Sequence, residues 1–177
     1  QAGSYVSEQS LRFDFTHFKG LTDEELYQVT ESVNEMIQKN VPILKQETSM
    51  EEARKLGALA FFGDKYGEKV RVVKSGDLSC ELCGGTHLDA TGQIGFFRII
   101  GESSVASGTR RIEAVAGMKA VSLSLEEDRC LKELSGLMKT DRSSLCEYIE
   151  KMQQQNRDLE KTIQEMKSKD LLANGLS

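Results

Sequence analysis

The stretch VRVVKSGDLSCELCGGTH occupies residues 70–87 and carries the clearest information on the fold. Val70–Val73 is dominated by a β-branched residue and predicts one strand, and Leu78–Leu82 predicts a second. The second strand leads directly into Cys83-Gly-Gly-Thr-His87. The sequence therefore predicts a β-rich region that presents a cysteine and a histidine at the end of a strand.

The pair Cys83 and His87 has the chemistry of a metal site. A thiolate and an imidazole are the ligands that Zn²⁺ prefers, and here they stand four residues apart across Gly84 and Gly85. We expect the two glycines to let the backbone fold tightly enough for both side chains to reach one ion. A structural zinc takes four protein ligands and a catalytic zinc usually three. The motif therefore predicts half of a zinc site.

Cys80 raises a second interpretation of the same segment. With Cys83 and His87 it would give three ligands of a compact zinc knuckle. Strand alternation, however, places Cys80 and Leu82 on one face and Cys83 on the other. We therefore interpret Cys80 as a packing residue. The four cysteines are irregularly spaced, which favours reduced thiols in a cytoplasmic protein over a disulfide framework.

The β-rich region continues to Ala116. We predict a buried strand over residues 94–100, and Arg110–Val115 alternates so that Ile112 and Ala114 share one face. Arg110 and Arg111 consequently point in opposite directions, and at most one faces a pocket.

Upstream, two capping boxes predict helix starts, and two segments predict extended chain. Thr22 with Glu25 opens a helix with apolar spacing through Ile37, and Ser49 with Glu52 opens a shorter one. Leu11–Phe15 alternates like a half-buried strand, and residues 41–45 are predicted to be extended.

After Gly117 the composition becomes typical of helices. One helix is predicted to end near Met138, and Thr140 or Asp141 is expected to cap a second. Apolar residues in the second helix alternate in steps of four and three, with one polar member, and predict a coiled-coil seam over residues 145–166. Its members are Leu145, Ile149, Met152, Asn156, Leu159, Ile163 and Met166. Two antiparallel helices of one chain, or pairing with another chain, both fit this seam.

Charge and hydropathy exclude some functions. The net charge of −5 argues against broad, non-specific nucleic-acid binding, which relies on clustered Lys and Arg, although a local basic site stays open. No apolar run is long enough to predict a membrane span. His17 lies among aromatic residues, which favours a structural role for it.

Four segments in series resemble the alanyl-tRNA synthetase family, in the region of its editing domain. They are LRFDF (11–15), ELCGGTH (81–87), TGQIG (91–95) and GTRRIEA (108–114), and the helical tail resembles the linker that follows that domain. The resemblance implies an α+β fold: a two-layer editing domain over 1–117 that lacks its N-terminal part, a helical hairpin or coiled coil over 118–173, and a frayed tail over 174–177.

The resemblance also implies a function for the cysteine–histidine pair. In this family zinc is bound by a His-x-x-x-His pair and a Cys-x-x-x-His pair. Cys83 and His87 match the second pair, and the first is expected upstream of Gln1. The implied activity is hydrolysis of serine or glycine misattached to tRNA(Ala), with the tRNA 3′ end as partner. ATP chemistry is expected only in an aminoacylation domain outside this sequence.

Three further residues are assigned by the same resemblance. Gln1 and Arg110 match residues of the editing pocket and are expected to be catalytic, and Arg110 is also expected to bind substrate. Thr86 is a candidate substrate contact because it lies next to His87. The alternatives are a freestanding deacylase that acts in trans on mischarged tRNA, and a non-catalytic tRNA-binding or oligomerisation module.

Overall fold

The computed structural model describes residues 1–59 and 69–174, with side chains described as far as residue 170. The chain forms two compact units, Gln1–Leu123 and a second that begins at Ser124. The first unit holds two antiparallel sheets with helices, and the second is helical. The α+β fold predicted from the sequence is confirmed. The predicted domain boundary at residue 117 stays a prediction.

A four-stranded antiparallel sheet forms the larger part of the first unit. Its strand order is β1-β2-β7-β6. The strands are β1 (Gly3–Val6), β2 (Leu11–Thr16), β6 (Phe97–Ala106) and β7 (Thr109–Ala116). Helix α1 (Asp23–Gln38) covers one face, so that Ile37 packs with Phe97, Ile112 and Ala114 in one hydrophobic cluster. The predicted burial of Ile112 and Ala114 on one face of the strand is confirmed.

Helix α1 begins at the capping box that the sequence predicted. The Thr22 hydroxyl accepts a hydrogen bond from the Glu25 backbone N–H at 3.2 Å, and the Thr22 N–H donates to the Glu25 carboxylate at 2.7 Å. These two bonds satisfy donors that a helix start otherwise leaves unpaired. Thr91 holds the other end, because its hydroxyl donates to the Met36 carbonyl at 3.0 Å and accepts from the Val41 N–H at 2.9 Å.

A three-stranded antiparallel sheet, in the order β3-β4-β5, carries the cysteine–histidine segment. The strands are β3 (Ile43–Ser49), β4 (Lys69–Ser75) and β5 (Ser79–Leu82), and helix α2 spans Met50–Lys55. Ala53 of α2 packs with Val70, Val72 and Leu82 in a second hydrophobic cluster. The Ser49 hydroxyl caps α2 by accepting from the Glu52 N–H. The Glu52 carboxylate instead accepts from the Thr48 hydroxyl, so the predicted capping box forms only in part.

The strand predicted over residues 94–100 begins at the wrong residue and is not buried throughout. Ile94 belongs to a 3₁₀ turn, Thr91–Ile94, and β6 begins only at Phe97. The interruption lies at Gly95, whose φ of 71° is left-handed and incompatible with a strand. Ile100 is 49% exposed, so this end of the strand is not buried as predicted. The extended segment predicted over 41–45 begins as β3 at Ile43 and continues to Ser49.

The second unit contains the remainder of α3 (Met118–Met138) and α4 (Leu145–Asn174), joined through a 3₁₀ turn over Arg142–Ser144. Asp141 precedes this turn as predicted, but its side chain makes no capping bond. Arg142 connects the turn to α3 by donating to the Asp128 carboxylate at 2.6 Å and to the Asp128 carbonyl at 2.8 Å. The two predicted helices are confirmed.

The predicted seam on α4 is buried only at its start. Leu145 is 5% exposed, whereas Leu159 and Met166 are each 60% exposed. The helical hairpin and the pairing of the seam with another chain both stay predictions. Within the described residues, no helix combines the length and the apolar character needed to cross a membrane.

Candidate functional site

The end of β5 places Cys83 beside a small cavity. The Cys83 N–H donates to the Arg71 carbonyl at 3.1 Å, which continues the β4–β5 pairing by one residue. Alternation along β5 then puts Cys83 on the same face as Ser79 and Glu81. The cavity has a volume of about 140 Å³, and its lining comes from all three strands and the loop after them. The lining residues are Ile43, Val73, Ser75, Ser79, Glu81, Cys83 and His87.

His87 faces this cavity with an unpartnered nitrogen. Its Nε2 is buried and has no hydrogen-bond partner among the residues that the structure describes. Burial lowers the pKa of His87 below its ordinary value, and the nearby charges of Arg71 and Lys45 lower it further, with Glu81 acting in the opposite direction. The imidazole is therefore neutral at pH 7, which leaves a ring nitrogen with a lone pair available for a ligand.

Ser75 is a second unpartnered group at the same cavity. Its hydroxyl is buried and, like His87 Nε2, lacks a hydrogen-bond partner in the described part of the chain. Leaving a buried polar atom unpaired costs about 1–3 kcal/mol, so two such atoms in one cavity indicate a place where a ligand supplies the missing contacts.

Arg71 of β4 makes hydrogen bonds to the loop between Cys83 and His87. The Arg71 guanidinium donates through Nη1 to the Gly85 carbonyl at 2.8 Å and approaches the Gly84 carbonyl at 3.5 Å. Neither glycine has a positive φ, so left-handed backbone is not what this loop requires of them. A Cβ on Gly85 would lie 3.6 Å from Cys83 Sγ, so the missing side chain keeps the space beside the thiol open.

The donors at this cavity fit zinc as half of a ligand set. They are a thiol and a neutral imidazole, and the unpartnered Nε2 is the atom that a metal would take. Across residues 1–59 and 69–174, no group of three or more Cys, His, Asp or Glu is arranged to hold a metal.

Cys80 lies on the opposite face of β5 from the cavity. It packs against the cluster of Ala53, Val70 and Leu82, and its Sγ lies 3.7 Å from the Leu56 carbonyl oxygen. This placement agrees with the interpretation of Cys80 as a packing residue. It offers no support for the three-ligand zinc knuckle.

The other predicted site residues lie apart from this cavity lining. Arg110 is on β7 of the four-stranded sheet, where it forms a bidentate ion pair with Glu102 that raises its pKa. Gln1 is exposed before β1 and donates to the Ser4 hydroxyl at 3.0 Å. Thr86 is exposed in the loop that joins Cys83 to His87. The structure brings Cys83 and His87 to one cavity, and the roles of Gln1, Thr86 and Arg110 stay predictions.

Sequence reasoning missed Ser75, Ser79 and Arg71. Alternation along β4 places Arg71, Val73 and Ser75 on one face, so a period-two pattern was available. What the pattern lacked was the register Ser75↔Ser79, which brings the two serines to one cavity.

Comparison with known proteins agrees with the motifs. Residues 70–113 match the family described as "Threonyl and Alanyl tRNA synthetase second additional domain". The alanine–tRNA ligase of Acetivibrio thermocellus is 48% identical over 96% of this chain and 19% of its own length. That of Idiomarina loihiensis is 44% identical over 96% of this chain and 20% of its own length. The ligase of Pelotomaculum thermopropionicum is 51% identical over 90% of this chain and 18% of its own length.

The chain thus spans about a fifth of the length of the curated relatives it matches. The matched family region contains all of β4 except Lys69, together with β5, Cys83 and His87. The resemblance predicted from the motifs is confirmed: the chain is a homologue of a segment of the alanyl-tRNA synthetases.

Proposed function

We propose that this chain is the editing part of an alanine–tRNA ligase and hydrolyses serine or glycine misattached to tRNA(Ala). The observation that carries the proposal is the unpartnered Nε2 of His87, which shares one cavity with Cys83 inside the matched family region. Homology to the ligases supports tRNA as the partner, and the cytoplasm is the location that we propose.

A separate hydrolytic reaction is needed because binding of the amino acid alone discriminates poorly between alanine, glycine and serine. A pocket shaped for alanine cannot strongly reject glycine, which is smaller, or serine, which adds one hydroxyl. A difference of one such group between two substrates changes the free energy of binding by about 1–3 kcal/mol. A second site that removes the wrong amino acid restores accuracy.

The reaction is hydrolysis of an activated ester. Water adds to the carbonyl carbon, the bond from that carbon to the ribose oxygen breaks, and the ribose oxygen takes a proton. The products are the free amino acid and tRNA with a free terminal hydroxyl. The protein has to orient the water, hold the ester and stabilise the charge that develops on the carbonyl oxygen.

Cys83 and His87 are the residues that would hold zinc for this reaction. The Cys83 thiolate and the His87 Nε2 would each supply one ligand, and the expected upstream histidines would supply two. Bound zinc would supply Lewis acidity and a fixed point for the 3′ end of the tRNA. Burial keeps His87 neutral and so able to bind, because the pKa of its imidazole is lowered.

The remaining assignments are also proposals. Arg110 would meet a phosphate or the developing negative charge, which requires it to exchange its Glu102 partner for the substrate. Thr86 is exposed next to His87 and would contact the substrate from the loop. Gln1 is exposed at the edge of the four-stranded sheet and would join the pocket from that side.

The test uses this segment within a full-length alanine–tRNA ligase. Hydrolysis of seryl-tRNA(Ala) and alanyl-tRNA(Ala) is compared for the wild type, Cys83→Ala and Cys80→Ala. We expect Cys83→Ala to lose zinc and seryl-tRNA clearance while alanylation persists. Cys80→Ala is the matched control, because it removes a thiol three residues away that packs on the other face. Unchanged clearance of seryl-tRNA(Ala) by Cys83→Ala would contradict the proposed site.

Two alternatives are separated by further measurements. A freestanding deacylase would clear seryl-tRNA(Ala) when the isolated chain is added in trans to mischarged tRNA.

An oligomerisation module is favoured by the exposed seam of α4. Sedimentation of Leu159→Ala tests it, with Leu137→Ala as control, since Leu137 is 76% exposed on α3 and outside the seam. Dissociation by Leu159→Ala alone would support pairing of copies through the seam.

A further inference from the structure

We propose that Arg71 is the positioning residue of the Cys83–His87 loop, and that it holds both ligands at the cavity by binding the glycine carbonyls between them. This inference rests on the proposed function, because it concerns how the proposed metal ligands are oriented. Arg71 lies on β4, outside the cysteine–histidine motif, and is not one of the proposed ligands.

The contacts of Arg71 define a clasp across the start of the loop. Its backbone carbonyl accepts from the Cys83 N–H at 3.1 Å, and its guanidinium donates to the Gly85 carbonyl at 2.8 Å. The Gly84 carbonyl lies 3.5 Å from the same Nη1. One residue therefore fixes the backbone at the first ligand and again two residues later, half way to the second.

Arg71 affects metal binding in two opposing ways, through its positive charge and through its hydrogen bonds to the loop. A guanidinium near a cation site opposes metal binding by electrostatic repulsion, and its field already lowers the pKa of His87. Lys45 exerts a field of the same sign on His87, but its ammonium bonds to Asp89 at 2.7 Å. Loss of either charge on its own should therefore strengthen binding of a cation, whereas loss of the clasp should weaken it.

Arginine also suits the geometry better than lysine does. Its planar fork offers several N–H groups in fixed directions, so two neighbouring carbonyls can be addressed by one side chain. A lysine would supply a single flexible ammonium. Partial rescue by lysine is therefore expected if hydrogen bonding to the loop is the role. If only charge mattered, Arg71→Gln would bind the cation more tightly than the wild type, and Arg71→Lys would match the wild type.

The experiment titrates a full-length alanine–tRNA ligase that carries this segment, and so the expected upstream ligands, with Co²⁺ as a spectroscopic substitute for zinc, and follows the thiolate-to-cobalt absorption. Arg71→Gln, Arg71→Lys, Lys45→Gln and Cys83→Ala are compared with the wild type. We expect Arg71→Gln to weaken binding by about 10- to 100-fold, the range for residues that orient metal ligands. Lys45→Gln should bind as tightly as the wild type or more tightly. Arg71→Lys should fall between the wild type and Arg71→Gln.

Backbone dynamics supply a readout that needs no metal. Order parameters of the Gly84 and Gly85 amides, measured by ¹⁵N relaxation, should drop in Arg71→Gln and not in Lys45→Gln, because Arg71 bonds to the loop carbonyls whereas Lys45 bonds to Asp89. A circular dichroism spectrum identical to that of the wild type verifies that each variant is folded.

The outcomes distinguish the two levels of the proposal. Equal cobalt affinities for Arg71→Gln and Lys45→Gln would overturn the role of Arg71. If the wild type shows no Cys83-dependent absorption, the metal site of the proposed function fails, and the glycine order parameters then decide whether Arg71 positions the loop. Unchanged order parameters of Gly84 and Gly85 in Arg71→Gln would show that Arg71 does not position the loop, with or without a metal.

Discussion

The two sheets of the first unit are built alike and differ in how their polar groups are satisfied. Each is antiparallel, and in each a helix contributes to the hydrophobic cluster. In the four-stranded sheet Arg110 pairs with Glu102, and Arg111 makes two bonds to Asp14 at 2.7 and 2.8 Å. At the three-stranded sheet, the Ser75 hydroxyl and the Nε2 of His87 in the loop after β5 are buried without hydrogen-bond partners among residues 1–59 and 69–174.

This difference separates structural polar groups from groups kept ready for a ligand. Folding favours pairing every buried donor and acceptor, so unpaired ones persist where something else binds them. Among the described residues, three buried side-chain polar atoms lack a partner, and two of them line the cavity of Cys83. The polar pairs Arg110–Glu102 and Arg111–Asp14 therefore stabilise the four-stranded sheet, and under the proposed function the three-stranded sheet supplies the zinc-binding part of the site.

The largest effect is expected from Ile112→Ala in the four-stranded sheet. Ile112 is 9% exposed, so truncation leaves a cavity in the cluster and should lower the free energy of unfolding by about 2–5 kcal/mol. Ile100→Ala is the matched control at 49% exposure on β6 and should cost much less. Urea denaturation measures both. Equal losses in the two variants would contradict the assignment of the core to this face.

A direct test of the comparison pairs Thr91→Val with Ser75→Ala. The Thr91 hydroxyl makes bonds at 2.9 and 3.0 Å that tie α1 to the chain after it, so its loss should cost about 1–3 kcal/mol of unfolding free energy. Removing the unpartnered Ser75 hydroxyl should leave stability unchanged or raise it by up to about 1 kcal/mol. Both follow from the same denaturation curves. A loss from Ser75→Ala as large as that from Thr91→Val would mean that Ser75 is paired.

The smallest effect lies outside both sheets, at Asp128 on α3. Hydrogen bonds from Arg142 and then Lys132 lower the pKa of Asp128 to about 2. A lowered carboxyl pKa adds stability above the ordinary value of 3.8, and this is lost as the pH falls from 3.8 towards about 2. The difference in melting temperature between wild type and Asp128→Asn should therefore shrink over that interval.

The Asp128 variant also serves as a control for the site. Asp128 is 40% exposed and belongs to the second unit, so its contribution should be small and should leave cobalt binding unchanged. A difference in melting temperature that grows as the pH falls would contradict the assigned ion pair.

Local patterns allowed much of this fold to be predicted, and long-range contacts explain what was missed. The Thr22 capping box and the alternation around Ile112 depend on neighbouring residues, and both are confirmed. The start of β6 was misplaced because the left-handed Gly95 ends the preceding turn, and its packing partner, Gly117, is distant in sequence.

The same distinction holds at the site. Cys83 and His87 lie within five consecutive residues, so their proximity could be predicted from the sequence alone. Ser75 and Arg71 join them only through the register of β4 and β5, and the pairing of Arg110 with Glu102 likewise needs the β6–β7 register. Residue types alone carry no information on these pairings.

The central claim is that His87 Nε2 is a metal ligand together with Cys83. The chain has two histidines, so His17 is an internal control in the same sample. The direct measurement is a ¹⁵N NMR spectrum of the histidine side chains during addition of Zn²⁺, for the wild type and Cys83→Ala. We predict that zinc shifts the Nε2 resonance of His87 alone, and that Cys83→Ala removes the response. An equal response of His17, or a His87 response that persists without Cys83, would contradict the claim.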